Sequence, residues 1–311
     1  MWEDQKVVVL DIGGTKMSAG IGTPDGEVHR EVTVPTHAEE GGARVLERAL
    51  ALARDRLEAE RAAGGNVVGL GVSSMGTTFD DRVEIAPNVP GWAQLSLHAA
   101  FQEAFSPLPF VIDNDVKAAT LAELAWGALA HVDDGLYLNF GTGIAAGIVV
   151  AGTLVRGAHQ SAGEIGYLLP RGRIEPFMAR DNVPPFESEF GGGGVAKRLS
   201  SRLGRPIDMA NLVAGAATDP QMKAFVDEIW DALAAMTANL CVTLDPAVIA
   251  LGGGYLRGNS DLRERIETVL AAAVPYPPFV TTAAFGADAS LRGAIVVGFG
   301  GLQEIKAARL S

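Results

Sequence analysis

Three polar residues in succession, Asp113-Asn114-Asp115, stand between an apolar run and a helical pattern. Residues 110–112 predict the end of a strand, and residues 116–126 predict a helix. A carboxylate at such a junction can accept a proton from a weakly nucleophilic hydroxyl group, which is the work of a general base. An acidic residue there can also simply cap the helix. Capping accounts for one polar residue and not for three, so the pattern favours a catalytic carboxylate at Asp115.

A second candidate is the turn Gly13-Gly14-Thr15, which follows a strand-like run ending at Asp11. Adjacent glycines allow positive φ angles and let a ligand approach the main chain, while Thr15 and Lys16 add a hydroxyl and a cation. The turn therefore predicts a phosphate-binding site. It does not match G-x-x-x-x-G-K-[ST], because the residues after Lys16 resemble a second strand. A plain hairpin with a Gly-Gly turn is the alternative.

The same design occurs twice. LDIGGTKMSAGI, from Leu10, and LNFGTGIAAGI, from Leu138, both consist of a strand, a polar residue, a Gly/Thr turn and a small-residue strand. This repeat predicts a duplicated domain in which each turn, the second with Thr142 and Gly143, contacts one phosphate tail. A third glycine turn at 251–254 follows a strand. The match of 141–146 to G-x-G-x-x-A is rejected as a dinucleotide site, because a strand and not a helix follows it.

The candidate residues lie on or between predicted strands and helices, which alternate along the chain. Strand-like runs lie at 7–10, 17–21, 27–33, 67–72, 110–112, 135–138, 145–150 and 248–251. Helical patterns lie at 39–61, 116–126, 222–244 and 262–273. The alternation predicts an α/β protein. We expect two lobes with a cleft between them, one of residues 1–115 plus 289–311 and the other of residues 116–288. We interpret the Gly191-Gly192-Gly193-Gly194 run as a flexible loop that opens a helix.

Composition narrows the class of protein. With 311 residues, of which 48% are hydrophobic, the chain can bury a large core. A net charge of −12 argues against a nucleic-acid partner, because phosphate neutralisation needs clustered cations. The longest hydrophobic stretch, 140–155, is too short and too rich in glycine to span a membrane. A single cysteine, Cys241, and a polar first segment without a leader predict a soluble protein of the reducing cytoplasm.

Six motifs then identify a family: DIGGTK, APNVPGW, DNDVKAATLAE, FGTGIAAGIV, SAGEIGY and LDPAVIALGGG. Over nearly its whole length the chain resembles the ROK family of sugar kinases. The resemblance implies the actin-like ATPase (ribonuclease H-like) fold, with lobes that close on a sugar. It also implies transfer of the γ-phosphoryl group of ATP, with Mg²⁺, to a hydroxyl of glucose or a close analogue, the 6-hydroxyl being expected.

The resemblance also assigns roles to residues. Asp115 is implied as the general base. The implied sugar contacts are Gly76, Asn88, Asn114, Asp115, Glu164, Tyr167 and Glu187. The implied nucleotide contacts are Asp11, Gly13, Gly14, Thr15, Lys16, Thr142, Gly143, Gly253 and Gly254. Asp11 is the expected indirect contact of Mg²⁺. Charged acceptors such as Glu164 and Glu187 suit the vicinal hydroxyls of a polyol, although most glutamates are ordinary surface acids.

Two features depart from the family pattern. Many members hold zinc with a histidine three residues after the motif glutamate and with a cysteine-rich loop; here the histidine position is Tyr167, and residues 168–190 lack cysteine. A tetrahedral zinc site cannot be built from what remains, so we predict none. The loop is expected to be ordered by packing of Tyr167, Phe177, Phe186 and Phe190. Lys117 stands where the family usually has asparagine, and the sequence assigns it no role.

Several alternatives stay open at this stage. The substrate could be an amino sugar, mannose or a cyclitol, the donor could be polyphosphate, and the chain could form a homodimer. A sugar-responsive regulator of the same family is disfavoured, because only six residues precede Val7 and leave no room for a helix-turn-helix domain. A catalytically silent sugar-binding protein is disfavoured by the presence of Asp115.

Overall fold

A computed structural model describes residues 4–79, 83–84, 89–170, 183–257 and 260–308. The chain forms two compact units. The first comprises Met1–Ala130, Arg156–Ser161 and Ala284–Ser311, and the second comprises His131–Val155 and Ala162–Ala283. No helix within the described ranges is both long and apolar enough to cross a membrane.

The elements alternate along the chain as the sequence predicts. The strands are β1 (Gln5–Ile12), β2 (Lys16–Gly22), β3 (Val28–Pro35), β4 (Asn66–Ser74), β5 (Thr77–Thr78), β6 (Val83–Glu84), β7 (Phe110–Asn114), β8 (Gly135–Phe140), β9 (Ile144–Val150), β10 (Thr153–Leu154), β11 (Val248–Gly252) and β12 (Phe279–Thr282). The helices are α1 (Gly42–Ala62), α2 (Leu97–Phe105), α3 (Asp115–Trp126), α4 (Pro185–Phe190), α5 (Gly192–Leu203), α6 (Met209–Gly215), α7 (Pro220–Leu244), α8 (Asp261–Ala273), α9 (Ala289–Gly298) and α10 (Leu302–Ala308).

The first unit is built on a five-stranded sheet in the order β3-β2-β1-β4-β7. β1 is antiparallel to β2 and parallel to β4, and β4 is parallel to β7. The alternation of side chains along β1 explains its unbroken apolar run. Val8 and Leu10 join the core formed with α1 and α2, whereas Val7 and Val9 lie on the face that contacts α9. Helices cover this central strand on both faces.

The second unit repeats this plan with the order β10-β9-β8-β11-β12. β8 is antiparallel to β9 and parallel to β11, and β11 is parallel to β12. The core of this unit includes Trp230 of α7 and Phe190 at the end of α4. The duplicated hairpin is thereby confirmed as β1–β2 and β8–β9. A strand, β9, follows the Gly141–Gly143 turn and pairs with β8, which confirms that this stretch is a hairpin.

Two glycines let α9 pack closely within the first unit. A Cβ atom on Gly293 would lie 1.8 Å from the carbonyl oxygen of Ala118 in α3, and one on Gly71 would lie 1.8 Å from that of Ala294. α9 therefore contacts α3 on one side and β4 on another, backbone against backbone. Because α3 packs in this way, the first unit continues to Ala130, and the predicted boundary after residue 115 falls inside it.

Candidate active site

Asn114 and Asp115 lie at the junction of β7 and α3. The Asn114 side-chain oxygen accepts hydrogen bonds from the amides of Val116, at 3.0 Å, and Lys117, at 3.2 Å, so Asn114 is the helix cap. Its side-chain nitrogen donates to the carbonyl of Gly76 at 2.8 Å. The structure thus brings three of the predicted site residues together. The capping role falls on Asn114, which leaves Asp115 as the first residue of the helix.

Asp115 has the electrostatic character of a base. Burial raises the pKa of its carboxyl group above the ordinary value, and the negative charge of Asp113 adds to this effect. The Val116 amide, which donates to Asp115 Oδ1 at 2.8 Å, and the cation of Lys117 lower the pKa and offset part of the rise. A raised pKa increases the affinity of the carboxylate for a proton, which favours proton abstraction from a hydroxyl.

Asp11 is a second half-buried carboxylate of the first unit. Burial raises its pKa to about 6, against the opposing effect of the Ser73 hydroxyl, which donates to Oδ1 at 2.8 Å. The charge of Asp115 raises this pKa further, whereas the Ser290 hydroxyl, 3.4 Å from Oδ2, and Lys16 lower it. Asp11 and Asp115 therefore repel each other, and a divalent cation near them would relieve that repulsion.

The glycine turn after β1 differs in one respect from its prediction. Neither Gly13 nor Gly14 has a positive φ angle. Gly13 is needed instead for space, because a Cβ atom there would lie 2.8 Å from the carbonyl oxygen of Lys16. Thr36 holds the turn through its hydroxyl, which donates to the Gly13 carbonyl at 2.6 Å. Thr15 and Lys16 are exposed and remain accessible to an anionic ligand.

The matching turn of the second unit, Gly141–Gly143, lies against Glu187. The Ile144 amide donates to Glu187 Oε2 at 2.8 Å, and a Cβ atom on Gly143 would lie 2.8 Å from the same oxygen. The amides of Gly192 and Gly193 donate to the carbonyls of Gly141 and Thr142 at 2.9 and 3.0 Å. Thr142 itself is exposed.

These contacts correct the interpretation of the four-glycine run as a flexible loop. Gly192–Gly194 are the first residues of α5, and they are glycine because α5 begins against backbone. A Cβ atom on Gly194 would lie 2.2 Å from the Ser188 carbonyl oxygen, and one on Gly192 would lie 2.9 Å from that of Gly141. The four glycines therefore allow α5 to begin in close contact with the Gly141–Gly143 turn.

The third glycine turn lies beside the same place. Gly253 has a φ of 93°, and a Cβ atom there would lie 2.3 Å from the carbonyl oxygen of Phe140. The Gly254 amide nitrogen is 3.5 Å from the position of a Cβ on Gly141, and the space around the Gly254 Cα is open. Thr142, Gly143, Gly253 and Gly254, predicted as nucleotide contacts, thus lie on neighbouring turns.

Glu164 immediately precedes a short 3₁₀ turn, Ile165–Tyr167, and Tyr167 is its last residue. The turn is anchored by Gly163, whose φ is 89° and whose carbonyl accepts from the Ala146 amide at 2.8 Å. Burial raises the pKa of Tyr167 to about 12, and the charges of Glu164 and Glu187 contribute to the rise. The three side chains therefore lie near one another, and the phenol keeps its proton at neutral pH.

Not every predicted residue is described. Asn88 and Phe177 lie outside the described ranges. Phe186 and Phe190 are buried with ring centroids 4.9 Å apart, and the Tyr255 hydroxyl donates to the Phe190 carbonyl at 2.8 Å. Arg156, which bonds to Asp113, was not predicted, nor were Ser73 and Ser290, because isolated arginines and serines carry no recognisable pattern.

Two five-stranded sheets with the same strand order and the same pattern of parallel and antiparallel pairs define an actin-like ATPase fold. Comparison with known proteins agrees with this class and refines it. The model of the ROK family matches residues 7–298, and the chain belongs to this family. It is a sugar kinase.

Named relatives cover most of both chains. A glucokinase of Halalkalibacterium halodurans is 27% identical over 285 residues, which are 85% of this chain and 84% of that protein. An N-acetylmannosamine kinase of Haemophilus influenzae is 29% identical over 297 residues, 93% of this chain and 94% of that protein. The crystal structure of a ROK hexokinase from Thermus thermophilus is 30% identical, covers 97% of this chain and 99% of its own, and has a TM-score of 0.80.

Proposed function

We propose that this sugar kinase transfers the γ-phosphoryl group of ATP to the 6-hydroxyl of glucose or a close analogue, with Asp115 as general base. The observation that carries this proposal is the β7–α3 junction, where Asn114 caps the helix and leaves Asp115 half-buried, with a pKa raised by desolvation. A sugar hydroxyl is a poor nucleophile, so its proton must be taken up as the bond to phosphorus forms. Asp115 receives that proton.

The remaining residues bind and orient the two substrates. In the second unit, Glu164 and Glu187 supply charged acceptors for sugar hydroxyls, and the protonated Tyr167 phenol supplies a donor. Glycine turns in both units offer backbone amides to the phosphates. Excess negative charge on the ligand is opposed by Lys16, which is exposed beside the first turn.

The first unit also fits a magnesium ion. Asp11 is a half-buried carboxylate close to two serine hydroxyls and to the charge of Asp115, and such oxygen donors suit Mg²⁺. Asp11 would hold the ion through water, and bound Mg²⁺ would neutralise phosphate charge during transfer. Mg²⁺ needs only one or two carboxylates together with substrate phosphates, so a dedicated protein cage is not required.

A substrate screen tests the proposal. The purified protein is assayed for phosphoryl transfer from ATP, and in parallel from polyphosphate, to glucose, mannose, glucosamine, N-acetylmannosamine and a cyclitol. We expect ATP-dependent phosphorylation of glucose or an amino sugar at the 6-hydroxyl, located by NMR of the product. Transfer only to a cyclitol would replace the substrate assignment, and no transfer to any acceptor from either donor would contradict the proposal. Cytoplasmic location and a homodimeric state remain predictions.

The protein is also expected to work without zinc. Tyr167 replaces the histidine, residues 168–190 contain no cysteine, and Cys241 is buried in α7, where burial raises its pKa to about 11. A phenol and one protonated thiol are poor zinc ligands. Elemental analysis should find no stoichiometric zinc, and a zinc-selective chelator in excess Mg²⁺ should leave activity unchanged. Activity that is lost and then restored specifically by zinc would refute this prediction.

A further inference from the structure

Arg156 and Asp113 form an ion pair that the proposed reaction does not use. Arg156 Nη1 donates to Asp113 Oδ1 at 2.9 Å, and Nη2 donates to Oδ2 at 2.6 Å. The Asp113 side chain is 3% exposed, whereas that of Arg156 is 42% exposed. Two parallel charge-assisted bonds fix both the position and the plane of a carboxylate. Asp113 is therefore held in a single orientation.

Asp113 also restrains the main chain next to the candidate base, Asp115. Its Oδ1 also accepts a hydrogen bond from the Asn114 amide at 2.8 Å. Asn114 in turn caps α3 and donates to the Gly76 carbonyl, and Asp115 is the next residue. A fixed Asp113 carboxylate therefore fixes the Asp113–Asn114 peptide, one residue before Asp115.

The pair also sets the charge around Asp115. The carboxylate of Asp113 raises the pKa of Asp115, and Arg156 is the cation bonded to that carboxylate. The bond to Asp113 raises the pKa of the Arg156 guanidinium, which therefore stays charged. Within the described part of the chain, Lys117 also acts on Asp115, and Asp11, which interacts with Asp115, is itself influenced by Lys16. Arg292 of α9, which packs against α3, is bonded instead to Gly26 and Glu27.

Arg156 reaches Asp113 because a short segment of the chain leaves the second unit and joins the first. Residues Arg156–Ser161 belong to the first unit, although the stretches on either side belong to the second. The chain then returns to the second unit at Ala162, and Glu164 lies two residues further on. Arg156, which orders the Asp113–Asn114 peptide, thus begins the segment that leads to Glu164, a candidate sugar ligand.

We propose that Arg156 is a positioning residue for phosphoryl transfer: it holds Asp113, and through Asp113 the Asp113–Asn114 peptide that leads into Asp115, and it compensates the charge of Asp113 beside the base. Arg156 acts through Asp113 and touches no reacting atom. The proposal rests on the proposed function, because it requires Asp115 to be the base.

Three variants separate the charge of the pair from its geometry. Arg156→Met leaves Asp113 without its cation, which raises the pKa of Asp115, so the acid limb of the kcat/KM profile against pH should move to higher pH. Asp113→Asn leaves a cation beside the base, so the limb should move to lower pH. In the double variant neither charge remains, and the limb should return toward that of the unmodified protein. A merely structural role would not move the limb in opposite directions.

A conservative variant tests the geometry. Arg156→Met should lower kcat roughly 10- to 100-fold, since small displacements of catalytic groups have effects of this size, with a smaller change in the KM of the sugar. Arg156→Lys keeps the charge and loses the bidentate bond, so it should keep the pH limb and still lower kcat. An unmoved limb and an unchanged kcat in these variants would overturn the proposal. If Arg156→Met does not fold, Arg156→Lys and Asp113→Asn carry the test.

A measurement without turnover distinguishes this proposal from the proposed function. Carboxyl resonances of protein labelled with ¹³C-aspartate are titrated in the unmodified chain and in Arg156→Met, with Asp115→Asn used to assign the Asp115 signal. A higher titration midpoint for Asp115 in Arg156→Met supports the pair even if no sugar is phosphorylated, in which case only the proposed function fails. An identical midpoint in both proteins overturns the inference.

Discussion

Asp115→Asn is expected to lower kcat roughly 10²- to 10⁴-fold, the contribution typical of a general base. The asparagine side chain keeps the shape of aspartate and loses its affinity for a proton. Its side-chain oxygen can still accept the bond that Asp115 Oδ1 receives from the Val116 amide, so the start of α3 should stay intact. We therefore expect the KM of the sugar and the unfolding transition to change little.

The control is the same substitution at another helix start. Asp208 caps α6 by accepting from the Asn211 amide at 2.7 Å, and its side chain is remote in sequence from every candidate site residue. Asp208→Asn preserves an effective cap, so its kcat should equal that of the unmodified protein. Steady-state kinetics on the best acceptor of the sugar screen decide the question. If Asp115→Asn kept half of the normal turnover, Asp115 would not be the base.

Gly293→Ala is expected to destabilise the first unit by about 3 kcal/mol, near the upper end of typical overpacking costs. The added Cβ atom would lie 1.8 Å from the Ala118 carbonyl oxygen. That obstacle is backbone within a hydrogen-bonded helix, so it cannot rotate away as a side chain would. α9 and α3 must move apart, and the buried side chains along α9, such as Ile295, lose contacts with the sheet.

Gly193→Ala is the matched control, because Gly193 is also a helical glycine. Its added Cβ atom would lie 3.5 Å from the nearest Thr142 atoms, which is ordinary contact. Alanine is favoured over glycine in a helix by roughly 0.5–1 kcal/mol, so this variant should be as stable as the unmodified protein or slightly more stable. Hydrogen exchange measures each unit separately: in Gly293→Ala, peptides of β1, β4 and α3 should lose protection. Equal protection in both variants would contradict the packing argument.

The fold was predictable where the sequence contains runs of apolar residues or repeated turn motifs. Buried β-branched runs such as that of β1 gave strands within a few residues of their bounds, and the repeated Gly/Thr turns gave the duplicated hairpin. Short elements without a clear period, such as α2, α4 and β12, were not predicted. The helix that begins in the four-glycine run was mistaken for a loop, because tertiary contacts there override the low helix propensity of glycine.

The sequence motifs predicted which residues belong to the candidate site, but they did not predict the hydrogen bonds and ion pairs that connect them. Asn114, Asp115 and Gly76 were named from the sequence, and the structure joins Asn114 to Gly76 directly. The pair of Arg156 and Asp113 was not predictable, since 43 positions separate the two residues and neither has a distinctive local pattern. Local sequence can indicate which residue has suitable chemistry, whereas the groups that tune its charge come from distant parts of the chain.

The three-part composition of the first unit sets an order of assembly during protein synthesis. β1 and β4 leave the ribosome early, but α9, which covers the face bearing Val7 and Val9, follows only after Ala283, the last residue of the second unit. Every stretch of the second unit is thus available before the first unit can close. The nascent chain must carry an uncovered apolar sheet face through most of translation, a state that is prone to aggregation and suited to chaperone binding.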